Sequence, residues 1–195
     1  MKTEFIALLC TAVLAASCSA QKNMTGAETA VQTAGTTPAA AEAAEAAEVS
    51  EDIPSFELTS ADLHDGVWDS VITNTKNGSN VSPQLSWEKV EGAECYVVYM
   101  VDTTAGNWLH WKSGFVTDTE LAQGAADKKE YVGPYPPGGT HTYEIFVYAL
   151  GGTVDKIPGI FDSQNNNFSG YAERIGEQTE VLACGHISGT YTKGD

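Results

Sequence analysis

Three separated stretches carry side chains that can do polar chemistry together: Asp102 at the end of an apolar run, Leu109-His110-Trp111, and Gly133-Pro134-Tyr135-Pro136-Pro137 leading into His141-Thr142-Tyr143. An acid, two imidazoles and a phenol can surround a phosphate-sized anion. The rings of His110 and His141 and the Tyr143 hydroxyl would donate to it, while Asp102 accepts from one histidine and fixes its tautomer. Gly133 and Pro134 would let backbone groups approach the ligand, with Pro136 and Pro137 stiffening the wall. Each residue also has a structural reading: a half-buried histidine satisfied by a carbonyl, an aspartate capping a turn, a tyrosine packed in a strand. The chain has no Gly-x-Ser-x-Gly, no His-Glu-x-x-His and no P-loop, and no spacing nominates a nucleophile. The set points to binding rather than catalysis, with no cofactor and no metal expected.

Such residues need a scaffold that brings distant segments to one place. The runs Leu85 to Trp87, Cys95 to Val101, Trp108 to Val116, Tyr143 to Leu150 and Val181 to Tyr191 read as strands separated by Gly, Pro, Asn and Asp clusters. Cys95 to Val101 and Ile145 to Leu150 are apolar at successive positions, which places them mid-sheet with cover on both faces. One short helix is expected around Gly170 to Gly176, and Asn77-Gly78 marks a tight turn. No amphipathic stretch is long enough to alternate with strands in a doubly wound fold. The class is mainly β with a few short helices.

Charge excludes one family of partners. With 26 acidic against 10 basic residues the formal charge is −16, which opposes nucleic acid and anionic lipid surfaces. A local donor cluster can still hold an anion, because salt screens the distant field over roughly 8 Å.

The N-terminus reads as an export signal over residues 1–17, with Lys2, an apolar run from Phe5 to Ala16, and small residues up to Cys18. Leu14-Ala15-Ala16-Ser17-Cys18 looks like a bacterial lipoprotein cleavage site, in which Cys18 receives lipid. Residues 18–52, rich in Ala, Glu and Thr and without aromatic residues, read as a disordered tether. As a coil the tether would reach roughly 30 to 35 Å. The folded domain is expected over 53–195, lipid-anchored in the cell envelope and facing periplasm or exterior. Cys95 and Cys184 remain in it and would either bridge or pack as ordinary core residues.

With these segments placed, the chain resembles the phosphatidylethanolamine-binding protein family, in its bacterial Raf-kinase-inhibitor-like branch, over Phe56 to Tyr191. Phe56-Glu57-Leu58-Thr59-Ser60 resembles the family's opening strand, and Asn80-Val81-Ser82-Pro83-Gln84-Leu85-Ser86-Trp87 is similar to its NVSPPLSW motif. Val101-Asp102, Leu109-His110-Trp111, Gly133 to Pro137 and His141-Thr142-Tyr143 resemble its pocket motifs, and Ala183 to Tyr191 its closing strand with a Gly-x-Tyr step. The resemblance implies a β-sandwich with a central antiparallel sheet and a pocket at the strand ends. Two departures stand out. Thr103-Thr104-Ala105-Gly106 replaces a loop with a second acid and two prolines, and Thr142 stands where the family usually has Arg.

The leading expectation is a non-enzymatic module that holds phosphate or a phosphoethanolamine-like head group through Asp102, His110, Gly133, Pro134, His141 and Tyr143. Lys112 would be a compensating cation or plain surface. An alternative is an envelope protein-interaction or protease-inhibitor module with a vestigial pocket. A third is a metal-dependent enzyme built on an Asp, His, His triad.

Overall fold

Two β-strands, Cys95 to Asp102 and Thr140 to Leu150, run antiparallel through the middle of the molecule, and every residue of the first is buried. The computed structural model describes residues 53–194, all within one compact unit. The expected signal segment, Cys18 and the tether lie outside the described residues. In chain order the strands are β1 (Ser55–Phe56), β2 (Leu58–Thr59), β3 (Leu63–His64), β4 (Val67–Trp68), β5 (Leu85–Trp87), β6 (Cys95–Asp102), β7 (Trp108–Lys112), β8 (Glu120–Leu121), β9 (Thr140–Leu150) and β10 (Val181–Thr192). One helix, α1 (Tyr171–Gly176), follows a 3-10 turn at Phe168–Gly170.

The larger sheet runs β3-β4-β10-β9-β6-β7, with β1 also pairing to β10, and the smaller runs β2-β5-β8. The centre of the larger sheet is antiparallel, as the family resemblance implies, while β1 and β4 lie parallel to β10 and make it mixed at that side. The N-terminal segment joins the layers: Phe56 pairs with Gly185 in the large sheet, and Leu58, two residues on, pairs with Trp87 in the small one.

Period-two alternation sorts β6 and β9 into two cores. Tyr96, Val98 and Met100 with Tyr143, Ile145 and Val147 face the small sheet, meeting Leu58, Leu85, Trp87 and Leu121. Val97, Tyr99 and Val101 with Phe146 and Tyr148 face the other way, onto Phe168, Tyr171 and Ile175 around α1. That is why both strands read as apolar without alternation.

The expected strands are present, but β9 begins three residues before the expected Tyr143, at Thr140, and the Trp108-to-Val116 run is interrupted. The expected strand from Trp108 to Val116 ends regularly at Lys112, because the Ser113 hydroxyl takes the bond from Val98 N at 2.7 Å that the ladder would otherwise carry. Ser113 N still donates to Val98 O at 3.0 Å, and the next pairing is at Val116, which exchanges bonds with Tyr96. The turn at Asn77-Gly78 is present, closed by Gly78 N donating to Thr75 O at 3.1 Å.

The cysteine question is decided by topology. Cys184 pairs with Tyr148 and Cys95 with Leu150, so the two thiols lie on strands flanking β9. Strands two places apart stand about 9.6 Å from each other, beyond the roughly 7 Å that a disulfide bridges. Both cysteines are free and buried, and burial raises both thiol pKa values, that of Cys184 to about 12.

Candidate functional site

At one end of the large sheet, β6 ends in Asp102, β7 carries His110 and β9 begins beside His141. Pairing forces the meeting: Asp102 is opposite Tyr143 on β9 and opposite Trp108 on β7. Asp102, His110, Gly133 and His141 line a single cavity of about 480 Å³. Asn74, Trp108, Tyr135, Asp162 and Gln164 complete most of its wall.

Asp102 is 3% exposed and serves two partners. Its Oδ2 accepts from His141 Nδ1 at 2.7 Å, and its Oδ1 accepts from Ala105 N at 3.1 Å, capping the 3-10 turn Thr103–Ala105. Orientation of a histidine and capping of a turn are thus one role, since each oxygen performs one of them. A carboxylate only accepts, so His141 carries its proton on Nδ1 and leaves Nε2 for other partners.

His110 is fixed by backbone instead. Its Nδ1 donates to the Val132 carbonyl at 2.8 Å, so in the neutral ring Nε2 holds a lone pair. Burial lowers its pKa from the ordinary 6.5, outweighing the Val132 and Gly133 backbone and the Asp102 and Asp162 charges, which act in the opposite direction. At neutral pH His110 therefore offers an acceptor, and it becomes a donor only on acidification.

Tyr143 and Pro134 sit elsewhere than sequence reasoning expects. Tyr143 is fully buried on the inner face of β9 and does not line the cavity. Its ring stacks on His141 (centroids 6.3 Å apart) and meets His110 edge-on (5.3 Å), so it sets the spacing of the two imidazoles from behind. Its hydroxyl has no hydrogen-bond partner. Asp102 lies near enough to act on it through charge, though without hydrogen-bond geometry, and burial first and that carboxylate second hold the phenol protonated. Pro134 faces the loop behind, its carbonyl accepting from Asn74 N at 3.0 Å.

Gly133 touches the cavity, but its N–H is committed to Asn80 Oδ1 at 2.6 Å. A Cβ there would collide with the Ile72 carbonyl oxygen, so only glycine lets the two backbones approach this closely. Asn80 itself holds φ 53°, a left-handed conformation that asparagine tolerates better than most residues. The Asn80-to-Trp87 motif thereby gains a physical role. Its first residue pins the pocket loop, Ser82 Oγ accepts from Ala126 N, and Gln84 N donates to the buried Asp62 at 2.6 Å.

The departures from the family pattern are also accounted for. Thr104 Oγ1 accepts from Thr142 N at 3.0 Å and Thr103 Oγ1 donates to Thr142 O at 3.4 Å, so two hydroxyls lace this loop to β9. Lys112 does not compensate for the absent Arg. Its Nζ donates to Gly159 O at 2.8 Å and it does not line the cavity; burial, then Lys156, lowers its pKa.

Asp162 and Gln164 escape sequence reasoning because they arrive from an irregular segment. Trp108 Nε1 donates to Asp162 Oδ1 at 3.1 Å, and Asp162 has φ 53°. Gln164 Nε2 donates to Ala105 O at 3.3 Å. Among the described residues no three His, Cys, Asp or Glu side chains converge as a metal site would require.

The fold and site define a β-sandwich protein with a cavity, carrying two histidines and two carboxylates, where strand ends meet. Residues 59–192 match the family model described as phosphatidylethanolamine-binding protein, and the chain belongs to that family. It is 30% identical over 129 residues to the UPF0098 protein of Methanothermobacter thermautotrophicus, an alignment covering 52% of this chain and 85% of that protein. Among solved structures it is similar to a phosphatidylethanolamine-binding protein homologue from Chlamydia trachomatis, with TM-score 0.55 and 22% identity over 72% of this chain and 99% of the other. E. coli YbcL, a member of the mammalian PEBP family, gives TM-score 0.54 and 24% identity over 71% and 99%. At those identities the two structures speak for the fold.

Proposed function

We propose that the protein is a binding protein, not an enzyme, and that its cavity holds a small oxyanion bearing an amine, of the phosphoethanolamine kind. One observation carries this reading: His110 and His141 both line the cavity with Nδ1 already tied to a protein acceptor, which orients the rings and leaves their Nε2 atoms for a ligand. An imidazolium Nε2 donates to a phosphate oxygen, and a neutral one accepts from a P–OH.

The acids favour a zwitterion over bare phosphate. Both oxygens of Asp102 are engaged, whereas Asp162 is bound through Oδ1 to Trp108, so its second oxygen is suited to an ammonium group. A ligand carrying both charges would match the cavity, and inorganic phosphate would meet Asp162 repulsively. The reading extends to export, with Cys18 lipidated and the domain held at the cell envelope, and mass spectrometry of the mature N-terminus tests that part.

Titration of the full-length protein with phosphoethanolamine and with phosphate, followed by backbone and imidazole NMR signals, tests the pocket. Shifts at His110 and His141 with tighter binding of phosphoethanolamine are expected. No shift at millimolar concentrations of either ligand removes the reading.

A further inference from the structure

The segment from Ile160 to Asn165 sends two side chains to the wall of the main cavity, those of Asp162 and Gln164. It is irregular but firmly tied. Asn165, 4% exposed, closes it from within: its Oδ1 accepts from Ile160 N at 2.9 Å and from the Tyr171 hydroxyl at 2.6 Å, and its Nδ2 donates to Ile160 O at 3.0 Å and to Ser163 O at 2.7 Å. Backbone bonds then dock the segment on β7. Leu109 N donates to Ser163 O at 2.9 Å, Asp162 N donates to Leu109 O at 3.0 Å, and Gln164 lies opposite Trp108.

Each of the two side chains is fixed through one atom. Trp108 Nε1 can only donate, so the Asp162 Oδ1 bonded to it accepts; Ala105 O can only accept, so the Gln164 amide turns its nitrogen to that carbonyl. The other atom of each group is an oxygen. Two acceptors, one carboxylate and one amide, therefore come from residues two apart on one wall of the cavity. Gly106, at φ 65°, leaves room for this, since a Cβ there would come within 3.1 Å of Gln164 Nε2.

We propose that Asp162 and Gln164 act together as the amine selector of this cavity, taking hydrogens of a primary ammonium, so that the ligand is an oxyanion bearing a primary amine and its trimethylammonium counterpart is discriminated against. The inference rests on the reading of the main cavity given above, and adds Gln164 as a specificity-determining residue. A primary ammonium has three N–H donors and can meet both oxygens at once, whereas a quaternary one has no N–H and leaves both without a donor from the ligand. Trp108 offers a quaternary cation an aromatic surface, but at a partly exposed site that attraction is weaker than the charge-assisted bonds it would replace.

The test uses full-length protein and two probes with the same phosphate, phosphoethanolamine and phosphocholine, with affinities read by calorimetry and contacts by NMR. Phosphoethanolamine should bind about tenfold more tightly, and both probes should shift His110 and His141. Gln164→Leu should narrow the preference to about threefold, and Asp162→Asn, whose amide oxygen still accepts from Trp108, should narrow it similarly. Gln164→Glu, which loses the same bond to Ala105 O but keeps an acceptor, should preserve the preference. Comparison of the Leu and Glu variants isolates the acceptor from the tie. Equal or tighter binding of phosphocholine, with both probes still shifting His110 and His141, overturns the selection and leaves the main-cavity reading standing. A preference that survives Gln164→Leu undiminished overturns the role of Gln164. If neither probe moves His110 or His141, the main-cavity reading falls and this inference falls with it.

Discussion

Asp102 and His141 meet at 2.7 Å with the carboxylate 3% exposed, and the same carboxylate caps the adjoining turn through Ala105 N. A buried charge stripped of one partner keeps its desolvation cost and loses its compensation, so the pair should be strongly coupled. His141→Ala should destabilise the fold by about 2–3 kcal/mol, lowering Tm by roughly 5–10 °C for a domain of this size. A double-mutant cycle with Asp102→Ala measures the coupling, and thermal denaturation followed by circular dichroism supplies the values. Coupling under about 0.5 kcal/mol, the range of independent sites, contradicts the pairing.

His110 gives a pH dependence whose sign follows from burial. Its folded-state pKa lies below the ordinary 6.5, so as pH falls the unfolded chain takes up the proton first. The stability associated with the neutral ring is complete above about 6.5 and is lost as pH drops toward the folded value. Denaturant titrations from pH 7.5 to 5 should show this loss. His110→Asn, whose amide can still donate to the Val132 carbonyl, should flatten the curve relative to wild type. An unchanged slope in the variant would falsify the assignment. Phosphate or phosphoethanolamine should restore part of the lost stability, because the imidazolium is the form that donates to an anion.

The strands that bring Asp102, His110 and His141 together are legible in sequence because Cys95 to Val101 and Ile145 to Leu150 are short continuous apolar runs, a pattern of strands covered on both faces. The tautomer-fixing part of Asp102 is likewise readable from residue type and position. The cavity's remaining wall is not. Asp162 and Gln164 come from a loop without periodicity, and their meeting with Trp108 and Ala105 depends on tertiary placement of that loop. Tyr143 misleads for a related reason. Following His141 by two residues puts it on the same side of β9 in a regular strand, but Tyr143 is already within the buried layer, while His141 stands at the strand's open end.

Tyr143→Phe separates the two readings of that residue. Its hydroxyl is buried with no hydrogen-bond partner, so removing it relieves an uncompensated polar group while the ring still packs on both histidines. Stability should be unchanged or rise by up to about 1 kcal/mol. Phosphoethanolamine affinity, read by calorimetry, should stay within about twofold. A loss of tenfold or more would show that the phenol reaches the ligand after a rearrangement of β9.

Asn80 and Gly133 lie 53 residues apart, and their 2.6 Å bond holds the pocket loop against the segment before β5. Two demands fall on Asn80: its side chain must accept from Gly133 N, and its backbone must hold φ 53°. Glycine meets the second demand only, and alanine meets neither. Asn80→Gly should therefore lose only the hydrogen bond to a partly buried N–H, about 1–2 kcal/mol, and Asn80→Ala should lose about 1 kcal/mol more for the left-handed backbone. Gly133→Ala should be worse than either, since its Cβ would meet the Ile72 carbonyl and backbone cannot yield as a side chain end does. Chemical denaturation of the three variants gives the order. If Asn80→Gly proves as damaging as Asn80→Ala, the left-handed conformation contributes nothing and the motif acts through the side chain alone. If Gly133→Ala is tolerated, the close approach of the 131–137 loop to Ile72 is not what shapes the cavity wall.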